Sequence, residues 1–153
     1  MIGFLGEYEA TLDSKSRFLL PAGFKKQLPE EDNTQFVINR GFEKCLTLYP
    51  VRIWEPIFNR IGQLNDFDPK VREFRRYFLN GATMLELDSA GRLLVPQNLK
   101  EYAGLEKDIV LASATNKIEI WDKIKYKQFF ESFSPDAYSD LAKEVMNPGG
   151  QGS

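Results

Sequence analysis

An α+β fold, mainly β and built from two repeated halves, is predicted by three observations. First, the segment from Asp13 to Pro21 recurs in similar form from Asp88 to Pro96. Second, each copy follows an apolar run and leads into a short helical segment. Third, a strand pair and an amphipathic helix come next in both halves. Because internal repeats dominate the architecture of a chain, we interpret the sequence as two strand-loop-strand-helix halves related by a pseudo-two-fold axis.

The strands are predicted from apolar runs with partial alternation and from β-branched or aromatic residues. One strand precedes each copy of the repeated segment, and a pair of strands follows it. The six segments lie at residues 4–12, 36–39, 46–49, 82–87, 108–112 and 117–121.

Short helices are predicted directly after the repeated segments, at residues 22–28 and 97–102. Pro21 and Pro96 precede them, and Pro suits the first turn of a helix because its fixed φ is helical and it has no N–H to satisfy. The two halves therefore place a helix at the same point of the repeat.

Longer helices follow each strand pair. The first has an apolar stripe at helical spacing, and Pro56 indicates that its regular part starts near that residue. The dipeptide Asp68-Pro69 predicts a cap and first position for a helix that runs through Phe78. In the second half we expect a helix over residues 123–132, and Ser134-Pro135 predicts the start of a last helix.

The composition limits the classes of function. The chain has 153 residues, of which 42% are hydrophobic, and this is enough for one compact core. It has no His and a single Cys, Cys45, which we expect to be buried and inert. Catalysis by His, Cys-His dyads, structural zinc and internal disulfides are therefore excluded. We expect a non-enzymatic protein without metal, cofactor or small-molecule substrate, and a hydrolase that uses only carboxylates ranks third among the functions considered.

The charge and the N-terminal sequence bear on partners and location. The formal net charge is −2, which argues against a generally basic nucleic-acid binder, so any such contact must use a local patch. The N-terminal residues soon reach Glu7 and Glu9, and no apolar run approaches the length of a membrane span. We therefore expect a cytoplasmic protein with no membrane partner.

Each repeated segment has an Asp and an Arg on either side of three small or polar residues, followed by an apolar triplet and Pro. An Asp side chain can accept the backbone N–H group two residues on, so Asp13 and Asp88 are expected to close the two turns. Arg17 and Arg92 are then expected at the start of the outgoing strands.

These tandem Asp-x-x-x-Arg loops, the apolar triplet and Pro after each, the strand pair in each half and the total length resemble the MraZ family of bacterial transcriptional regulators. The resemblance covers almost the whole chain except the tail. One Asp-x-x-x-Arg motif alone is uninformative, whereas two in phase within repeated surroundings are specific. The resemblance implies two swapped-hairpin halves of the SpoVT-AbrB type that interleave their strands in one barrel, with flanking helices, and a ring-like homo-oligomer.

The resemblance also implies the partner and the site. The implied partner is double-stranded promoter DNA, with short direct repeats upstream of the division and cell-wall gene cluster as the target and the nucleoid as the location. The family loop usually has Gly before the Arg, as Gly91 does here, whereas the first copy has Ser16, which is less favourable if the position needs a positive φ. The motif arginines and aspartates match Arg17, Arg92, Asp13 and Asp88.

The boundaries that we expect follow the repeat. The tail from Asn147 to Ser153 has nothing to pack and is expected to be disordered. The segments are a first SpoVT-AbrB-like half at 1–55, connecting helices at 56–80, a second half at 81–124, C-terminal helices at 125–146 and the tail at 147–153.

The residues around the first loop are compatible with DNA binding. An Arg side chain can pair bidentately with a guanine edge or with phosphate, and Lys15 adds a second positive charge to the loop that contains Arg17. From Asp13 to Lys26 one acid faces four cations. Such a patch binds weakly alone, because salt screens phosphate contacts. Identical loops on one face of a ring would raise the avidity by roughly 100-fold or more, provided that DNA repeats match the subunit spacing. We expect Arg17 and Lys15 to contact DNA first, and Arg92 to be a further candidate.

Two alternatives stay open. Arg17 and Arg92 could bridge to Asp13 and Asp88 within the loops or to a neighbouring subunit. The family resemblance favours DNA contact for Arg17 and leaves the two roles balanced for Arg92, because the second loop lacks a Lys. The second class of function is an oligomeric scaffold or protein-interaction ring without DNA, which the acidic net charge favours.

Overall fold

The computed structural model describes residues 3–30, 34–131 and 133–147. Within these ranges the order strand, strand, helix, strand, strand, helix occurs twice, as the repeat predicts. The elements are β1 (Glu7–Thr11), β2 (Arg17–Leu19), α1 (Ala22–Lys25), β3 (Gln35–Arg40), β4 (Leu46–Pro50), α2 (Val51–Gly62), α3 (Pro69–Gly81), β5 (Thr83–Glu86), β6 (Arg92–Leu94), α4 (Gln97–Ala103), β7 (Asp108–Ala114), β8 (Lys117–Asp122), α5 (Lys123–Phe130) and α6 (Pro135–Met146).

Six strands form one antiparallel sheet in the order β1-β7-β8-β4-β3-β5. Strands β1 and β5 are its edges, so the sheet is open, and the prediction of a closed barrel is wrong for the described residues. The physical reason lies in β2 and β6. Each has only 3 residues, and the two pair with each other as a separate ribbon, so they do not join β1 to β5.

The strand pairs cross between the two halves. Strand β1 of the first half pairs with β7 of the second, and β5 of the second half pairs with β3 of the first. Strands β4 and β8 pair at the centre of the sheet. Each half therefore supplies an edge strand to the other, and both belong to one compact unit that extends to Lys123. A second unit begins at Ile124 and contains α6.

The main core draws on equivalent positions of both halves. Phe24 of α1 and Leu99 of α4 each lie three residues after the Pro that ends the repeated segment, and both are fully buried. Phe18 of β2 and Leu93 of β6 are buried in the same cluster. Because burial of a large apolar side chain contributes about 1.5–3 kcal/mol, these paired positions anchor both short helices and the ribbon.

A second apolar cluster explains where α2 begins. The helix starts at Val51, and Pro56 lies inside it, so the prediction that the regular part starts near Pro56 is wrong. Trp54 is buried, stacks on Phe78 at 5.6 Å and contacts Tyr49 at 5.3 Å between ring centroids. This packing holds the first turns in helical form although Pro56 cannot donate a backbone hydrogen bond there.

Other helix ends agree with the predictions in part. Asp68 accepts a hydrogen bond from Lys70 N–H at the start of α3, and Ser134 accepts one from Ala137 N–H at the start of α6, as the capping signals predict. Helix α1 ends at Lys25 rather than at residue 28, because tighter turns follow in which each N–H bonds the carbonyl three residues back. Helix α3 continues past Phe78 to Gly81.

Two expectations reach beyond the described residues. The helix predicted over residues 123–132 ends at Phe130, and residue 132 lies outside the described ranges. Residues 148–153 of the predicted disordered tail also lie outside them. In the ranges that are described, no helix has the length and the apolar character needed to cross a membrane.

The orientation of β6 can be tested with two neighbouring leucines. Leu93 is fully buried, whereas Leu94 is 51% exposed. We expect Leu93→Ala to lower the free energy of unfolding by about 2–5 kcal/mol, because it removes packed methyl groups and leaves a cavity. Leu94→Ala should change it by less than about 0.5 kcal/mol. Urea denaturation followed by circular dichroism measures both values, and equal losses would contradict the orientation of the ribbon.

Candidate nucleic-acid interface

The first motif loop is closed by the carboxylate of Asp13. One oxygen, Oδ1, accepts the backbone N–H groups of Lys15 and Arg17, each at 2.9 Å. The other oxygen, Oδ2, accepts the Nε–H group of Arg17 at 2.9 Å. One side chain therefore fixes both the backbone of the loop and the first part of the arginine that follows it.

The second motif loop has the same set of contacts. Asp88 Oδ1 accepts the backbone N–H groups of Ala90 and Arg92 at 2.9 Å, and Asp88 Oδ2 accepts Arg92 Nε–H at 2.9 Å. The ion pair that we considered as the alternative role of the arginines is thus present in both loops. It uses one edge of each guanidinium group and leaves its other nitrogens for further contacts.

Both loops need a left-handed backbone conformation just before the arginine. Ser16 has a φ of 64° and Gly91 a φ of 80°. Ser16 N–H donates to the Asp13 carbonyl at 3.0 Å, and Gly91 N–H donates to the Asp88 carbonyl at 2.9 Å. The Ser in the first copy therefore does not change the shape of the loop, although a side chain at positive φ costs energy that Gly avoids.

The β2–β6 ribbon holds the two loops side by side. In addition to the strand pairing, Leu20 N–H donates to the Gly91 carbonyl at 3.1 Å, and Val95 N–H donates to the Ser16 carbonyl at 2.9 Å. These two bonds join equivalent positions in opposite directions, as a pseudo-two-fold axis requires. The sequence analysis did not predict that the two loops meet. The signal was the pattern of Arg, an apolar residue and Leu in each copy, which could have predicted that the two short strands pair with each other.

The arginine side chains remain partly accessible. The side chain of Arg17 is 28% exposed and that of Arg92 is 33% exposed. Arg92 Nη1 also lies 3.8 Å from Asp13 Oδ2, so it spans both loops. The two terminal nitrogens of Arg17 have no partner in the part of the chain that the structure describes, and they are free to form the paired hydrogen bonds that a guanine edge or a phosphate accepts.

Hydrogen bonding keeps both loop carboxylates charged. The backbone N–H group of Arg17 lowers the pKa of Asp13 below its ordinary value of 3.8, and the N–H group of Lys15 and the Arg17 side chain lower it further. The backbone and side chain of Arg92 lower the pKa of Asp88 in the same way. Each loop therefore keeps its ion pair at neutral pH.

The lysines of the two halves have different surroundings. Lys15, Lys25 and Lys26 are exposed, and their ammonium groups have no hydrogen-bond or ion-pair partner among the described residues. Lys100 occupies the position in the second half that Lys25 occupies in the first, but it is partly buried and donates from Nζ to Ser16 Oγ at 3.1 Å. Among the described residues, the first loop thus displays one unpaired ammonium group, that of Lys15, and the end of α1 displays two more. The second half instead supplies a lysine that holds the first loop.

Neither a metal-binding cluster nor a reactive thiol is found among the described residues. They contain no group of three or more His, Cys, Asp or Glu side chains that could hold a metal ion. The thiol of Cys45 is fully buried, and its burial raises the pKa to about 12. A thiol with such a pKa is not a nucleophile at neutral pH.

Comparison with known proteins gives one family. A family model described as "MraZ protein, putative antitoxin-like" matches twice, over residues 3–77 and 78–146. The curated relatives include proteins named transcriptional regulator MraZ. Those of Christiangramia forsetii, Flavobacterium psychrophilum and Cytophaga hutchinsonii are 46%, 43% and 40% identical to the chain. The alignments cover 95%, 93% and 95% of this chain and 94%, 90% and 95% of the relatives.

The loop carboxylates predict a specific response to acid. Because the folded-state pKa of Asp13 and of Asp88 is lowered, their stabilisation is complete above the ordinary value of 3.8 and is lost as the pH falls through the lowered values. We expect the double variant Asp13→Asn/Asp88→Asn to melt at a lower temperature at pH 7 and to depend less on pH below 3.8 than the native chain. Thermal melts from pH 7 to pH 2 measure this. Asp140→Asn on α6 is the control: this exposed residue lies outside both loops, and the variant should melt at pH 7 as the native chain does.

The loop conformation predicts opposite effects at two glycines. An added Cβ meets no atom within 4 Å at Gly91 or at Gly62, but only Gly91 has a positive φ. We expect Gly91→Ala to lower the free energy of unfolding by about 1–2 kcal/mol through backbone strain. Gly62→Ala, at the end of α2, should raise it by up to about 1 kcal/mol. Denaturant titration checks both signs, and a stabilising Gly91→Ala would contradict the left-handed conformation.

Proposed function

The chain belongs to the MraZ family, and from this premise we propose that it is a sequence-specific transcriptional regulator, not an enzyme, that binds double-stranded promoter DNA through its two motif loops. The observation that carries the proposal is the pairing of the loops on the β2–β6 ribbon. This pairing places two partly exposed arginines on one small surface. Arginine is the side chain best suited to bidentate contact with guanine.

Arg17 is the first base-reading residue in this proposal. Its Nε–H group is held by Asp13, so its position is defined before DNA binds. A side chain that is already ordered loses less entropy on binding than a free one does. The terminal nitrogens, which have no partner among the described residues, then supply the paired donors for a guanine edge. Arg92 contributes less, because its Nη1 is already near Asp13.

The lysines of the first half supply backbone contacts. Lys15 lies in the first loop, and Lys25 and Lys26 lie at the end of α1, all exposed. Phosphate contacts of this kind fix the position of a protein on the duplex and make its affinity depend on salt. They explain how a chain with a net charge of −2 can bind DNA through a local surface.

The family premise supports the finer parts of the proposal. The target consists of short direct repeats upstream of the division and cell-wall gene cluster, and the protein associates with the nucleoid. Several identical subunits in a ring-like homo-oligomer bind successive repeats, so that later contacts become intramolecular. The crossed strand pairs β1–β7 and β5–β3 support a swapped-hairpin relation between the two halves.

An oligomeric scaffold without DNA binding is the second candidate function. The first unit exposes several large apolar side chains that a scaffold would use as an interface, among them Phe42 at 84% and Phe67 at 90%. Exposed aromatic residues in such number are typical of protein interfaces. A ring that binds DNA also needs an interface, so this observation does not separate the two functions.

A DNA-binding assay separates them. We expect the native chain to bind a fragment of the DNA upstream of its own coding sequence, with an affinity that falls steeply as salt rises. Arg17→Ala should weaken binding by about tenfold or more per subunit, because a bidentate contact contributes about 1–3 kcal/mol. Compared with Arg17→Ala, Arg17→Lys should regain part of the salt dependence of binding, because it keeps the positive charge. It should not regain the preference for the specific fragment, because Lys cannot form the paired hydrogen bonds of Arg. Fluorescence anisotropy with specific and scrambled fragments measures both quantities.

The control for this assay is Arg76→Ala, which removes an exposed arginine of α3 that belongs to neither motif loop. It should bind as the native chain does. Equal affinities of the native chain and Arg17→Ala would exclude Arg17 as a reader, and no binding by the native chain would favour the scaffold. Light scattering of the native chain tests the ring, since a monomer would remove the avidity argument.

A further inference from the structure

Two leucines of the β2–β6 ribbon are exposed without a structural reason. Along each strand the middle residue is buried, with Phe18 at 1% and Leu93 at 0% exposure. The residues that follow, Leu19 and Leu94, are 59% and 51% exposed. Only the middle residue of each strand therefore packs in the core. The leucines add an apolar surface that the fold of this unit does not use.

The strand register places these leucines beside the motif arginines. Arg17 lies opposite Leu94, and Leu19 lies opposite Arg92. Residues two apart on a strand share a face, so Arg17, Leu19, Arg92 and Leu94 all belong to the outer face of the ribbon. Arginine and leucine alternate around this four-residue face, and the pseudo-two-fold axis passes through its centre.

We propose that the outer face of the β2–β6 ribbon enters the major groove of duplex DNA, where Leu19 and Leu94 contact the methyl groups of thymine bases. The arginines at the other two corners bond base edges or phosphates. This inference rests on the proposed DNA-binding function and adds to it the groove, the inserted element and a second pair of base-reading residues.

The dimensions favour the major groove. Neighbouring strands lie about 4.8 Å apart, and the major groove, about 12 Å wide, admits a two-stranded ribbon with its side chains, whereas the minor groove is about 6 Å wide. The thymine C5-methyl group lies only in the major groove and is the apolar feature of base edges there. An apolar side chain between two guanidinium groups fits a surface in which methyl groups alternate with hydrogen-bond acceptors.

The charges around the leucines favour DNA over a protein surface as the occupant. Each leucine faces an arginine across the ribbon, and the adjacent first loop presents the exposed ammonium group of Lys15. The two nearby carboxylates, of Asp13 and Asp88, are already paired with the arginines. An anionic partner with small apolar groups is therefore complementary to the whole face. An apolar protein surface would leave the guanidinium nitrogens that do not bond the loop carboxylates without acceptors.

The decisive experiment compares thymine with uracil, which differs only by the missing methyl group. The probe is the DNA upstream of the coding sequence of this chain, amplified with dTTP or with dUTP. We expect the native chain to bind the uracil duplex about fourfold or more less tightly, since this is the factor for each methyl group lost from an apolar contact. The variant Leu19→Ala/Leu94→Ala should bind both duplexes equally, with the affinity that the native chain shows for the uracil duplex.

Two further variants serve as controls. Leu19→Met/Leu94→Met keeps the apolar surface and should retain the preference for thymine. Met84→Ala removes an equally exposed apolar side chain from the edge strand β5 and should behave as the native chain does. Thermal melting confirms that all variants fold, which is expected because the altered side chains lie on the outer face.

The outcomes separate this inference from the proposed function. If the native chain binds thymine and uracil duplexes equally well, the major-groove contact is overturned while DNA binding stands. If it binds neither duplex, the proposed function itself fails. If Leu19→Ala/Leu94→Ala lowers the mass measured by light scattering, the leucines are subunit contacts, and the inference is also overturned.

Discussion

The antiparallel pairing of β2 with β6 is the interaction on which the rest of the structure depends. Each strand has only 3 residues, too few to be stable alone, and each is held by the other and by the buried middle residues Phe18 and Leu93. The same pairing brings the two motif loops together through the reciprocal bonds at Ser16 and Gly91. Fold and candidate site therefore share one set of contacts: the inner face of the ribbon belongs to the core, and the outer face carries the arginines.

Sequence reasoning predicts local features of this chain well and contacts between the halves poorly. The repeat, the strands and the capping residues Asp68 and Ser134 follow from patterns within a few residues, where propensity and hydrogen bonding act locally. The pairing of β2 with β6 joins segments separated by half of the chain, and no local pattern specifies it. The closed barrel, which the family resemblance implied, is wrong for the described residues, because β2 and β6 pair with each other and leave β1 and β5 as the edges of the sheet.

Two further residues show how tertiary contacts override local preference. Pro56 predicts a late start for α2, yet the stacking of Trp54 on Phe78 holds the helix from Val51. Ser16 is a poor residue for a positive φ, yet it adopts one because its loop is fixed by Asp13 and its hydroxyl accepts a bond from Lys100. The motif residues themselves were identifiable from the repeat, whereas the role of Lys100 was not, because its partner lies in the other half.

The ion pair of each loop supports recognition instead of competing with it. An arginine has donors on both sides of its planar group, so the bond from Nε to Asp13 or Asp88 leaves the far edge for another acceptor. The carboxylate removes conformational freedom that binding would otherwise have to remove, and it offsets a positive charge that would repel its counterpart across the ribbon. The surroundings of this common element differ between the two halves. In the second half Arg92 and Lys100 both reach back to the first loop. Lys15, Lys25 and Lys26 of the first half have no hydrogen-bond or ion-pair partner among the described residues. The asymmetry arises because side chains of the second half hold the first loop, whereas these lysines of the first half do not hold the second.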